Sequence, residues 1–188
     1  MQYVRDGLKF YYNKEVYSPE YSSVDTVMLV NKLIADGRPN LSVLDVGCGS
    51  GIIGLSIKKA NPDAYVILCD VSPEAVRVSK LNSKRLGLPV EVRNGHLAIC
   101  GADIIVANLP TYSDEDMKQE LHGPEISYYA GDPLSIYDEL FKTASCRALV
   151  CECQIKYQPE FLKLAKKRGW VLVLSLDNAF AFTKHALI

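Results

Sequence analysis

The chain has 188 residues, 48% of them hydrophobic, a mean hydropathy close to zero and a formal net charge of −1. That length suits one domain with a full core, and the near-neutral balance leaves no global field to draw nucleic acid or an anionic membrane. No apolar run approaches a bilayer span, and Met1-Gln-Tyr-Val-Arg-Asp is too polar for a signal peptide, so no membrane association and a cytoplasmic location are expected.

A polar N-terminal stretch leads to helical spacing over 24–34, with Ser22 or Ser23 as cap and Gly37 as stop. From there the pattern alternates. Strand-like runs fall at 43–46, 65–69, 90–92, 104–107, 148–151 and 171–176, with helical patterns at 52–60, 73–86, 134–144 and 159–168 between them. A last apolar run at 181–187 follows Asp177-Asn178 with no helix before it. Such alternation predicts βαβ units and an α/β fold with a mostly parallel sheet, its short apolar strands buried on both faces. The tight final turn predicts an antiparallel last strand. We expect one domain over 1–188, with 1–40 as a cap segment and helix and 41–188 as the core.

The six cysteines, at 48, 69, 100, 146, 151 and 153, lie mostly in or beside apolar runs, where a thiol behaves as a small hydrophobe. Cys151-x-Cys153 has no second pair at zinc spacing, so reduced core thiols and no metal are expected.

In an open parallel sheet, ligands bind beyond the carboxyl ends of the strands, near the switch in strand order. Three strand ends therefore matter most: Asp45-Val-Gly-Cys-Gly-Ser-Gly, Asp70-Val-Ser-Pro and Asn108-Leu-Pro-Thr. Gly47-x-Gly49-x-Gly51 turns the first strand into a helix, and Gly49-Ser-Gly51-Ile-Ile-Gly54 satisfies the dinucleotide fingerprint, a weak signal alone. A plain glycine turn reads the same way. Charge separates the cofactors. A dinucleotide would bring a pyrophosphate to the helix N-terminus, where Asp45 would repel it. S-adenosyl-L-methionine carries an ammonium and a sulfonium, which a carboxylate attracts. Asp70 has acceptors for both ribose hydroxyls, Val71 an apolar face for adenine, and Gly47, Cys48, Gly49 and Gly51 the loop itself.

These residues give a specific resemblance. "VYSP" at 16–19, "VLDVGCGSGIIGL" at 43–55, "CDVSPEAV" at 69–76, "ANLP" at 107–110, "EISYYAGDPLSIYDELF" at 125–141 and "RALVCE" at 147–152 make the chain similar to the class I methyltransferases. Within that class it resembles the HemK-like protein glutamine methyltransferases, in their short branch without an extra N-terminal domain. The resemblance implies a Rossmann-like seven-stranded sheet with helices on both faces and S-adenosylmethionine as cofactor. It also implies, as acceptor, the glutamine of a Gly-Gly-Gln loop in a translation release factor and, from eukaryotic members, a small zinc-binding activating partner. Two positions depart from the family. Its Asn-Pro-Pro-Tyr is here Asn108-Leu109-Pro110-Thr111, and the aspartate that reads the adenine amine is matched by His96, either an acceptor for that amine or a plain loop histidine.

An amide or exocyclic amine nitrogen is a poor nucleophile because its lone pair is delocalised. Two acceptors receiving its N–H bonds would aim the lone pair at a methyl donor and stabilise the charge that builds on nitrogen. The resemblance assigns these roles to the Asn108 side-chain oxygen and the Leu109 carbonyl, with Pro110 holding the corner. Thr111 lacks the ring that stacks on a planar acceptor; Tyr112 supplies one if the loop shifts by a residue. A simple turn at Asn108 is the competing reading.

Tyr128 and Tyr129 are expected to pack, 114–116 to be a solvated helix start, and the basic run 163–168 to be a solvated face. Glu152 and Gln154 face the site region without an assigned role. The expected activity is methyl transfer to a planar nitrogen, with a protein acceptor favoured over nucleic acid. The alternatives are a base amine in nucleic acid, which a basic rim would favour over an apolar, acidic one, and a non-catalytic S-adenosylmethionine-binding protein.

Overall fold

The computed structural model describes residues 1–21, 24–35, 40–97, 101–111 and 132–184. Its centre is a seven-stranded sheet of order β5-β4-β3-β6-β7-β9-β8. Strands β3 (Ser42–Val46), β4 (Tyr65–Asp70), β5 (Glu91–Asn94), β6 (Ala102–Ala107) and β7 (Cys146–Glu152) are parallel neighbours. The last strand, β9 (Ala179–Thr183), runs antiparallel to both β7 and β8 (Val171–Leu176). The reversed final strand is as the sequence predicts. It begins earlier than expected because Asp177, with φ 46°, closes a two-residue turn directly after β8.

Period two along each strand divides its side chains between two cores. Val43, Val66, Leu68, Ile104, Val106 and Val150 pack with α1 (Val24–Ala35) and α2 (Ile52–Ala60). Leu44, Ile67, Ile105 and Leu149 pack on the other face with α4 (Ser135–Thr143) and α5 (Gln158–Lys167). Burial on both faces explains why these strands read as continuous apolar runs. Cys151 and Cys153 share the second core, and no group of three metal-binding side chains occurs among the described residues. No helix among them is long and apolar enough to cross a membrane.

One element lay hidden in the polar N-terminal stretch. Strands β1 (Gln2–Arg5) and β2 (Leu8–Tyr11) form an antiparallel hairpin around Asp6-Gly7, both with positive φ. Asp-Gly is the two-residue type I′ signal. The hairpin is tied to α3 (Pro73–Leu86) by the fully buried Asn82. Its Oδ1 accepts from Tyr11 N at 2.7 Å, and its Nδ2 donates to Tyr11 O and Ser50 O, each at 2.8 Å. One amide thus joins hairpin, α3 and glycine loop. The start of α3 is fixed by Ser72, whose hydroxyl accepts from Ala75 N, with Pro73 in the first turn.

Asp45, 1% exposed, accepts from Gly54 N at 2.9 Å through Oδ2 and so draws α2 onto β3. The approach is close: a Cβ on Gly54 would stand 2.2 Å from Leu68 Cδ2, which is why the third fingerprint glycine is needed here. Oδ1 of Asp45 has no hydrogen-bond partner among the described residues. Burial pushes the carboxyl up to about 7, against the Gly54 hydrogen bond and helped by the nearby charge of Asp70. The folded protein therefore holds a proton that the unfolded chain releases near 4. This contribution to stability is complete at low pH and is lost as pH rises toward 7, on the order of 4 kcal/mol across the window. Thermal unfolding of the ligand-free protein should occur at lower temperature at pH 8 than at pH 5, and Asp45→Asn should flatten that slope. Parallel slopes for the two proteins would remove Asp45 as the source.

Candidate active site

A cavity of about 430 Å³ opens at the carboxyl ends of β3, β4, β6 and β7. It lies where the chain, having built outward from β3 through β4 to β5, returns to β6 on the other side of β3. Residues 47–50, 70–72, 95–97, 108–111 and 152–154 form its floor and sides, and residues 15–17 of the N-terminal segment face them.

The glycine loop is held from below. Gly47 N and Cys48 N both donate to Cys69 O, at 2.9 and 3.1 Å, and Gly51 N donates to Cys48 O. Gly47, Gly49 and Gly51 all have positive φ. Gly47 is also confined in space, since a Cβ there would stand 2.8 Å from Leu109 Cδ2. Asp70 clamps the loop from the cavity side: Oδ2 accepts from Gly49 N and Oδ1 from Ser72 N, each at 2.9 Å. Burial raises its carboxyl above the usual range while hydrogen bonds from Ser72, Gly49 and Val71 oppose the shift, and the residue lines the cavity. Val71, 52% exposed, is an apolar ledge beside it. Asn94 supports that tip by donating to Asp70 O and Val71 O, both at 3.0 Å. His96 lines the cavity from an exposed position, with Nδ1 3.6 Å from Glu139 Oε1 on α4. The Cys48 thiol is driven well above its ordinary value, first by burial and then by the charges of Asp45 and Asp70, which makes it an inert wall.

At the end of β6, Asn108, Leu109, Pro110 and Thr111 all line the cavity. Leu109 is anchored twice, by its N–H donating to Tyr137 Oη at 3.0 Å and by a buried side chain lying over Gly47. Thr111 is only 3% exposed and offers no stacking surface. Tyr112, and with it the shifted-ring alternative, lies outside the described residues, as do Tyr128 and Tyr129.

Gly47, Cys48, Gly49, Asp70, Val71, His96 and the four corner residues thus share one cavity, whereas Asp45, buried beneath the loop, and Gly51, at its end, do not line it. Glu15, Tyr17, Asn94, Tyr137 and Asn178 were not singled out in the sequence. Two of them lay in segments that carried the resemblance, Tyr17 in "VYSP" and Tyr137 in "EISYYAGDPLSIYDELF", without a role being assigned to either. Three carboxylates, of Glu15, Asp70 and Glu152, line the cavity; no lysine or arginine does among the described residues.

The family model "Methyltransferase small domain" matches residues 7–128. A release factor glutamine methyltransferase of Clostridium acetobutylicum is 40% identical over 120 residues, which are 58% of this chain and 41% of that protein. One of Bacteroides thetaiotaomicron is 33% identical over 156 residues, 73% of this chain and 55% of that protein. The chain spans about half the length of the curated relatives it matches. Among solved structures, the hMettl16 catalytic domain in complex with a MAT2A 3′UTR hairpin superposes with a TM-score of 0.68 at 12% identity, covering 96% of this chain and 76% of that one. That likeness is one of fold: the seven-stranded Rossmann-like sheet. With well over half of its length inside the matched model, the chain belongs to the methyltransferase small domain family.

Proposed function

We propose that the protein is an S-adenosylmethionine-dependent N-methyltransferase whose acceptor is a glutamine side-chain amide in a translation release factor. The observation that carries the reading is the charge of the cavity: three carboxylates and, among the described residues, no lysine or arginine. A dinucleotide's pyrophosphate or an oligonucleotide's backbone would meet repulsion there, whereas an ammonium and a sulfonium would meet attraction. The relatives' name, release factor glutamine methyltransferase, supports the finer assignment. The fold does not choose the acceptor, since a neighbour of similar fold is bound to RNA.

The residues present suit the cofactor. Asp70 stands at the cavity wall with carboxylate acceptors for a ribose diol, Val71 presents an apolar face beside it, and Gly49, with no neighbour closer than 4.0 Å to where a Cβ would stand, lets a ligand approach the loop backbone. Asp45 from beneath the loop and Gly51 from its end set the loop's shape. Bound S-adenosylmethionine supplies an electrophilic methyl group. The protein's own part is orientation: the Asn108 side-chain oxygen and the Leu109 carbonyl accept the two N–H bonds of the acceptor amide, turning its lone pair toward the donor and stabilising positive charge on nitrogen. Pro110 restricts the backbone on the far side of that carbonyl. Thr111 adds no ring, so at this corner the acceptor is held by hydrogen bonds.

Calorimetry should register binding of S-adenosylmethionine or S-adenosylhomocysteine and none of NAD. Heat from NAD alone would overturn the cofactor assignment. Asp70→Ala should weaken cofactor binding by about 1–3 kcal/mol, as for loss of hydrogen bonds to a charged group.

Asn108→Ala should leave cofactor affinity within a few-fold and remove most methyl transfer to a Gly-Gly-Gln peptide, followed with labelled cofactor. Undiminished turnover would refute its role. Label entering RNA and not protein in a cell extract would instead establish the nucleic-acid reading.

A further inference from the structure

The parallel ladder between β6 and β7 has its last pair at Ala107 and Cys151. Beyond it the strands part, and the Tyr137 hydroxyl from α4 sits between them. It accepts from Leu109 N–H at 3.0 Å and donates to the Glu152 carbonyl. Tyr137 has no exposed surface, and its ring meets Phe161 edge-on at a centroid distance of 5.0 Å, so the hydroxyl has no room to swing aside.

We infer that Tyr137 is a positioning residue for methyl transfer: its hydroxyl fixes the peptide between Asn108 and Leu109 and thereby the direction in which Asn108 presents its amide. This rests on the reading of Asn108 as the residue that binds the acceptor. Leu109 N–H and Asn108 C=O belong to one rigid peptide plane, so anchoring the first orients the bonds at Asn108 Cα. The need for the anchor follows from the residue at 109. A leucine there brings a buried N–H that must find an acceptor, and the hydroxyl is the acceptor it finds. A proline would bring no N–H and would restrict the backbone through its own ring. Burial holds the phenol well above its ordinary value of 10, so it keeps the proton it donates to Glu152.

The prediction separates positioning from general support of the fold. In the 188-residue chain, Tyr137→Phe should lower kcat for a Gly-Gly-Gln peptide by roughly 10- to 100-fold, the scale of an ångström-level misplacement. The dissociation constant for S-adenosylmethionine, measured by calorimetry, should stay within about threefold. Hydrogen exchange at the Leu109 amide should quicken at least tenfold. In a Leu109→Pro background, where there is no N–H to satisfy, Tyr137→Phe should cost roughly tenfold less in kcat. Phe161→Leu keeps the hydroxyl but loosens its ring, and should lower kcat to a smaller extent with cofactor binding intact; it decides the matter if Tyr137→Phe does not fold. Unchanged kcat in Tyr137→Phe, or in Phe161→Leu when that variant decides, overturns the inference. So does loss of cofactor binding in step with turnover, or an equal penalty in both backgrounds. Wild-type protein that transfers no methyl to peptide, extract protein or RNA overturns the functional reading as well, and does so before any variant is compared.

Discussion

A buried carboxyl group sets the geometry on which this site depends. Asp45 reaches from the end of β3 to the Gly54 amide and holds the first turn of α2 hard against the sheet, at a spacing that excludes any side chain at 54. With helix and strand held that close, the five residues between Val46 and Ile52 must reverse direction in very little space, and three of them are glycines with positive φ. Asp70 then takes the Gly49 amide from the other side. The loop is clamped between two carboxylates, one dry and one facing the cavity. The dry one is costly in its charged form, and a cation in the cavity would reduce that cost, in keeping with the acidic lining.

The same constraint ties together the two halves of the site. Leu109 lies over Gly47, so the corner at the end of β6 rests on the glycine loop and a shift in one is felt by the other. Tyr137 adds a tie to β7 and α4, and Asn82 adds another from Ser50 to the N-terminal hairpin. Both are buried polar side chains whose hydrogen bonds run to backbone atoms on other elements. Such groups are stable only in one arrangement, which is how they fix relative positions that apolar packing would leave adjustable.

The sheet and most of the site were legible because each rests on a local signal. Alternation of apolar runs with helical spacing identified the seven strands, and glycines and carboxylates at strand ends marked the loop. The hairpin was missed although Asp6-Gly7 announces it, because strands of four residues with charged faces give little hydrophobic periodicity. Asp45 shows a different limit. Its charge was read from its position, but whether it faces the ligand or lies behind the loop depends on the pleat of β3 and the approach of α2, which no short segment encodes. The roles of Tyr137, which lay unremarked in the 125–141 segment, and of Asn82 and Asn94 were unreadable for the same reason. Each acts on backbone atoms that are distant in sequence, and a backbone partner leaves no trace in residue type.

The departure at 109–111 follows from this packing. A leucine at 109 fills the space over Gly47 and sinks into the core beneath α4, and Thr111 follows it inward. A large ring in place of Thr111 would have to find room at a position only 3% exposed. Stacking of a planar group on an aromatic ring is worth about 1–3 kcal/mol, and a corner without that contact must recover the energy elsewhere. The cavity extends past Asn108 along the ends of β7 and β9, where Glu152, Gln154 and Asn178 present polar side chains. Contacts there would reach chain on either side of a glutamine and not the amide itself. On the proposed reading, recognition would then draw on a segment around the acceptor as well as on its planar amide.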